Sequence, residues 1–310
     1  MAQGSLPTVS VVIPCFNQAR FLPHAIRSVF EQSHPPIECL VVDDGSTDET
    51  VAVAELLHAR VIRQPNSGVS AARNTGLAAA SGELVVFLDA DDALLPTALE
   101  REAAALAANP RLAAVVTRCE AMDEAGKAIP VVHHLIDTSD LYRDWLSRNF
   151  VWTPGAAMFR RADVTAIGGF AEDLGPAADY ALYLRLAREG RVAFVEGTAV
   201  RYRQHATSMS RDPALMLRAT MKALRGEARH AARDAVRRGR RVWCAWYGEQ
   251  IVHDLRAHWH ARAFGARQLA ALMTLMRHCP STVAHHVGRK ARRAIVAVLK
   301  APAGLRRASR

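Results

Sequence analysis

Several common signals are missing from this chain, and each absence removes a class of function. No uncharged apolar stretch reaches about 18 residues, so no segment is expected to cross a membrane as a helix. The opening MAQGSLPTVSVVIPCF has no basic start and too short an apolar run for a secretory signal, and the expected compartment is cytoplasmic. The five cysteines, Cys15, Cys39, Cys119, Cys244 and Cys279, are odd in number and widely scattered, which argues for reduced thiols over zinc or redox chemistry. No GxGxxG follows the first apolar run and no GxxxxGK[ST] occurs, so a glycine cradle for a dinucleotide or a P-loop is not expected.

Charge is unevenly spread. Residues 1–210 hold 18 Lys/Arg against 25 Asp/Glu, a net of −7, whereas residues 211–310 hold 22 against 5, a net of +17. An acidic front and a basic tail suggest different tasks. The expected division is a domain at 1–212 and a basic helical region at 213–310.

The front alternates strands and helices. VSVVIPCFN is a continuous apolar run ending in a turn, as a parallel strand buried on both faces requires. A helix is expected over ARFLPHAIRSVFEQS with Asn17 as its cap. IECLVVDDGSTDET then reads as a strand, followed by a helix whose capping box pairs Ser46 with Glu49. ARVIRQ reads as a third strand, GVSAARNTGLAAASG as a helix closed by Gly82, and ELVVFLDADD as a fourth strand. That order predicts an α/β fold with a mostly parallel sheet flanked by helices.

Open parallel sheets bind ligands beyond the carboxyl ends of their strands, where both acidic clusters fall: Asp43 and Asp44 after the second strand, and Asp89, Asp91 and Asp92 after the fourth. Two unit charges about 4 Å apart near a protein surface repel by roughly 4 kcal/mol at an effective dielectric near 20. Solvation on a loop, protonation of one carboxyl, or a bound divalent cation would each relieve the crowding. Read singly, Asp44 would start a turn and Asp92 would cap the helix after Pro96.

VSVVIPCFN, VVDDGSTDET, NSGVSAARNTGL and FLDADD, continued by GGFAEDL, ADYALYLRL and YRQHATSMS, resemble in order and spacing the family 2 glycosyltransferases of the GT-A fold, over roughly residues 8 to 211. The resemblance implies an inverting transferase that takes a sugar from a nucleoside-diphosphate donor, UDP being favoured, to a glycan or lipid-linked acceptor in polysaccharide synthesis. It implies that Pro14 and Phe16 shape the nucleotide pocket, Asp44 accepts from the base, and Arg73 sits near the base or diphosphate. Asp89 would approach the ribose, Asp91 would coordinate manganese or magnesium, and Asp179 would be the general base. The family often writes Glu-Asp where this chain has Ala178-Asp179, and Glu172 is the reserve base. His205 is assigned to the metal or diphosphate, with Ser208 and Ser210 as weaker candidates. Trp152 is a candidate wall for the acceptor, and Gly168 and Gly169 permit a turn.

The tail is expected to be helical, with ALMLRATMKALRGEARHAARDAVRRG of helix length. Trp243, Trp246 and Tyr247 beside four arginines in RRGRRVWCAWYGEQ, and the basic clusters around the apolar patch of GRKARRAIVAVLKAPAGLRRASR, suit an anionic membrane surface at the inner face. A metal site at His253, His258 and His260 is not expected, because His258 and His260 do not share a helix face. Two other classes stay open: a nucleic-acid binder using the tail, which the acidic front opposes, so that no nucleic-acid partner is expected, and a non-catalytic sugar-nucleotide binder.

Overall fold

The computed structural model describes residues 5–286 apart from 132 and 134, so the basic and apolar segment at 288–310 lies outside the described residues. The strands and helices in chain order are β1 Val9–Cys15, α1 Leu22–Phe30, β2 Glu38–Asp43, α2 Thr50–Leu56, β3 Arg60–Arg63, α3 Val69–Ala79 and β4 Leu84–Phe87. There follow β5 Ala93–Leu94, α4 Ala98–Ala108, β6 Ala114–Met122, β7 Ala128–Ile129, α5 Leu141–Ser147, β8 Ala157–Arg160, α6 Arg161–Ala166, α7 Ala178–Ala187, β9 Val192–Arg203, α8 Pro213–Glu227, α9 Arg233–His260 and α10 Ala266–His278.

One sheet runs in the order β3-β2-β1-β4-β8-β6-β9-β5, with β7 added to β6. Its first four strands are parallel, and every residue of β1 and β4 is buried, which is why both read as unbroken apolar runs. Beyond β4 the sheet is mixed: β8 enters antiparallel between β4 and β6, while β9 lies parallel to β6. Parallel order is thus confined to the β1–β4 half and the β6–β9 pair. Among the described residues no helix is long and apolar enough to cross a membrane.

Three expected helix boundaries are replaced by longer-range contacts. Asn17 does not cap α1, which begins five residues later at Leu22 with Pro23 in its first turn. Instead Asn17 adopts a positive φ of 53° and its Oδ1 accepts from Thr47 N at 2.8 Å, tying the turn after β1 to the turn after β2. The Ser46–Glu49 capping box does not form, because Ser46 N donates to Asp43 Oδ1 and Ser46 Oγ accepts from Asn17 N. Helix α3 ends at Ala79 rather than at Gly82. Gly82 serves close approach: a Cβ there would stand 2.6 Å from Ser10 N.

The tail helices do not stand apart from the sheet domain. Their buried residues, among them Leu217, Trp243 and Ile251, belong to the same hydrophobic cluster as β1 and β4. The helix-length string splits, α8 ending at Glu227 and α9 starting at Arg233. Asp212 caps α8 by accepting from Ala214 N and Leu215 N. Trp243 and Tyr247 are buried, Trp243 Nε1 donating to Leu146 O, so only Trp246 of that aromatic trio faces outward. This corrects the expectation that the trio forms one membrane-facing group.

Close packing of α9 on α5 depends on Gly239, since a Cβ there would lie 2.0 Å from Leu146 O. Gly→Ala in a helix interior ordinarily stabilises by up to about 1 kcal/mol. At Gly239 the sign should reverse, with Gly239→Ala costing about 1–3 kcal/mol as the two backbones are forced apart. Urea unfolding of the two proteins measures this, and a more stable variant would contradict the packing.

Candidate active site

The carboxyl ends of β1, β2 and β4 and the start of α7 bring the sequence candidates to one edge of the sheet. Pro14 is buried in β1, paired with Val42. Two residues on, Phe16 stands about half exposed, with a ring face open to stacking. At the end of β2, Asp43 turns inward and is fully buried, accepting from Ser46 N. Asp44 is held beside it: its Oδ1 accepts from Gln64 Nε2 at 2.7 Å and Ser67 N at 2.8 Å, and its Oδ2 from Gly68 N at 2.8 Å. Three of its roughly four acceptor positions are therefore filled, leaving one on Oδ2 for a ligand donor.

The turn after β4 resolves the crowding of Asp89, Asp91 and Asp92 by giving each a different partner. Asp89 Oδ1 accepts from Arg73 Nη2 at 2.6 Å. Asp91 Oδ2 lies 2.7 Å from His205 Nε2, whose other ring nitrogen meets Thr207 Oγ1 at 2.9 Å. Asp92, fully buried, accepts from Thr153 Oγ1 at 2.5 Å and from Arg203 N at 2.8 Å. It does not cap the helix after Pro96, whose N-terminal cap is Thr97. Burial, then the charges of Asp91 and Asp89, push the Asp92 carboxyl well above the usual carboxylate range. Asp91 is raised as well, by burial and then by Asp89, with His205 opposing.

Arg73 links this turn to α7. It is buried, lies 5.3 Å from the Phe170 ring centroid, and has Nε without a hydrogen-bond partner. Asp179, in the first turn of α7, is buried with its Oδ1 accepting from Tyr180 N at 2.7 Å. Burial lifts its pKa to about 6, and Arg73 is the largest influence holding it down. Glu172 is exposed, accepting from Asn74 Nδ2 at 3.2 Å, while Asn74 Oδ1 takes Phe170 N. Gly169 makes that contact with a positive φ of 65° and no room for a Cβ, which would lie 2.4 Å from Asn74 Oδ1.

The segment after β9 carries the remaining candidates. His205 is 5% exposed, with its ring 5.0 Å from that of Phe21. Ser208 Oγ accepts from His205 N and Ser210 Oγ meets Tyr202 Oη, so both serines bond within their own segment. Trp152 is half exposed and stacks on His133 at 6.1 Å, next to the Thr153 that holds Asp92. Among the described residues no group of three or more His, Cys, Asp or Glu is arranged to hold a metal ion.

Two groups escaped the sequence reading. Tyr183, one turn beyond Asp179, is buried with its hydroxyl unpartnered, in the field of Asp179, Arg73 and Asp89. The spacing of four from Asp179, in the first turn of the helix, was the available signal. Arg203, whose Nε donates to Asp91 O at 2.7 Å, was hidden because its role spans 112 residues.

Residues 10–168 match the family described as glycosyl transferase family 2, about half of the chain, and the chain belongs to that family. It is 29% identical over 192 residues to the chondroitin synthase of Escherichia coli, covering 60% of this chain and 27% of that protein. The chain spans between 27% and 31% of the length of the first curated relatives it matches. Among solved structures it resembles Staphylococcus aureus TarS 1-349 in complex with UDP-GlcNAc, with a TM-score of 0.61 and 17% identity over 89% of this chain and 83% of that one. It also resembles the mannosyltransferase PcManGT of Pyrobaculum calidifontis in complex with GDP-Man and Mn2+, with a TM-score of 0.60 and 21% identity over 89% and 82% of the two chains. These likenesses establish the α/β GT-A fold with its mixed sheet.

Replacing Arg73 with methionine should raise the Asp179 pKa above about 6, because it removes the main charge favouring the carboxylate. A carboxyl-carbon NMR titration reads this directly. An unmoved titration would separate Arg73 from Asp179.

Proposed function

We propose that this chain is an inverting glycosyltransferase that moves a sugar from a nucleoside diphosphate to an acceptor hydroxyl in one displacement. The observation that carries the reading is the convergence of Asp179, Arg73 and Asp89 beside the Asp91–His205 pair at one sheet edge. In the reaction the acceptor oxygen bonds to the anomeric carbon as the bond from that carbon to the β-phosphate oxygen breaks. The hydroxyl proton passes to the Asp179 carboxylate, and the nucleoside diphosphate departs with the electron pair. Attack opposite the leaving group inverts the anomeric centre.

The donor's base falls to Phe16 for stacking and to the remaining acceptor position of Asp44. UDP is the favoured nucleotide, supported by the UDP-GlcNAc bound in the TarS complex, while PcManGT binds GDP-Man, which differs in base as well as in sugar. In this reading Asp91 and His205, hydrogen-bonded to each other at 2.7 Å, would part so that the carboxylate oxygen and the imidazole nitrogen both turn to manganese or magnesium. Such a cation, when bound, supplies positive charge to the leaving diphosphate. Arg73 holds Asp89 for the ribose and keeps Asp179 ionised near neutral pH. The acceptor is a hydroxyl of a glycan or lipid-linked glycan, a reading supported by the similarity to chondroitin synthase.

The test is Asp179→Asn, which should lower transfer about 100- to 10,000-fold while leaving donor affinity unchanged. Undiminished transfer would remove Asp179 as the base and return the role to Glu172. For the wild type, protonation below a pKa of about 6 disables the base, so kcat/KM should rise with pH through that value and then level. A profile flat between pH 5 and pH 7 (about one unit either side of that pKa) would contradict this.

A further inference from the structure

Helix α10 is apolar on two opposite sides. Its inner side buries Ala271 and Leu275 against the body of the protein. Leu269, Met273 and Met276, at helical spacing on the outer side, are each at least half exposed. Before the helix, at the end of α9 and in the turn that follows, Trp259 and Phe264 are also exposed and meet edge to face at 5.9 Å. An exposed leucine and two methionines on one side of α10, with two exposed aromatics just before it, are more apolar surface than a solvated helix requires.

The charge around the stripe identifies what covers it. Asp254 is the last acidic residue of the chain: residues 255–310 hold 12 Lys/Arg and no Asp or Glu. Arg262 and Arg277 are exposed, each within three residues of a member of the exposed apolar group, whereas Arg267 pairs with Asp212 at 3.4 Å and Arg256 bonds His286. A second copy packed face to face would set Arg262 and Arg277 against their own counterparts, and like charges would meet across the contact. By sequence, residues 287–310 carry eight Lys/Arg and no Asp or Glu, so they offer these arginines no opposite charge. Nucleic acid would satisfy the arginines through its phosphates, and a single strand would stack on Trp259, but neither covers Leu269, Met273 and Met276. A bilayer with anionic headgroups satisfies both, with headgroups meeting the arginines and the acyl boundary receiving the apolar stripe.

We propose that the outer face of α10, with Trp259 and Phe264, docks on an anionic lipid surface. The docking face is therefore not the Trp243–Tyr247 cluster that the sequence suggested, since two of those three aromatics are buried. The inference is independent of the transferase reading, because docking needs neither donor nor acceptor.

The experiment is co-sedimentation of the full chain with phosphatidylcholine vesicles, with and without phosphatidylglycerol, alongside the double variant Met273→Glu/Met276→Glu. Both positions are exposed, so the variant should keep the wild-type circular dichroism and melting temperature. The wild type should bind the phosphatidylglycerol vesicles preferentially, and the double variant should bind them more than about tenfold less tightly. Four results would overturn the proposal. Equal binding of both proteins to anionic vesicles would remove the apolar stripe. Equal binding to neutral vesicles would remove the charge. A concentration-dependent dimer without lipid, dispersed by the double variant, would make the face a contact between copies. Duplex DNA displacing the wild type from vesicles, with DNA affinity unchanged in the variant, would return the basic surface to nucleic acid.

Discussion

Three carboxylates within four residues, Asp89, Asp91 and Asp92, must be neutralised separately for the turn after β4 to exist, and each takes its partner from a different part of the chain. Asp89 takes Arg73 from α3, Asp91 takes His205 from the segment after β9, and Asp92 takes Thr153 from the turn before β8 together with the backbone of Arg203. Repulsion of roughly 4 kcal/mol per close pair at an effective dielectric near 20 gives each partner a reason to be there. The parallel half of the sheet, the antiparallel strand and the last strand consequently meet at this one turn. Asp92 is the anchor, buried and pushed toward its protonated form, which leaves Asp89 and Asp91 as the carboxylates facing the site.

Asp179 enters the same network from behind. Its burial raises the carboxyl into the range where it titrates near neutrality, and Arg73 limits the rise. Arg73 is therefore shared between Asp89, with which it hydrogen-bonds, and Asp179, whose ionised form it favours, and it lies over the Phe170 ring. Asn74, the next residue, reaches the loop that carries Phe170 and Glu172, so two adjacent side chains of α3 set the approach of α7 to the site.

Much of the site edge was readable in the sequence because parallel strands buried on both faces leave continuous apolar runs, and their ends mark the ligand side. Asp44, Asp89, Asp91 and Asp179 could be placed in this way with the help of the family resemblance. What could not be read depends on contacts distant along the chain. Asn17 has the composition of a cap, yet a positive φ turns it toward Thr47. Asp92 looks like its neighbours but bonds to residues 61 and 111 positions away. Trp243, Trp246 and Tyr247 form one cluster in the sequence, and only the packing of α9 on α5 and α7 separates the two inner rings from the outer one. Strands β5 and β7 are two residues long and have no period to detect.

The proposed transfer requires the turn after β4 to hold a nucleoside diphosphate together with a divalent cation. The melting temperature of the wild type and of Asp91→Ala, measured with UDP, dTDP and GDP each with and without manganese, tests it most directly, since a ligand that binds the native state raises that temperature by mass action. The account predicts a rise that requires one of the nucleotides and the metal together and that disappears in Asp91→Ala. A rise of the same size in both proteins, or none with any nucleotide in the presence of manganese, would contradict it.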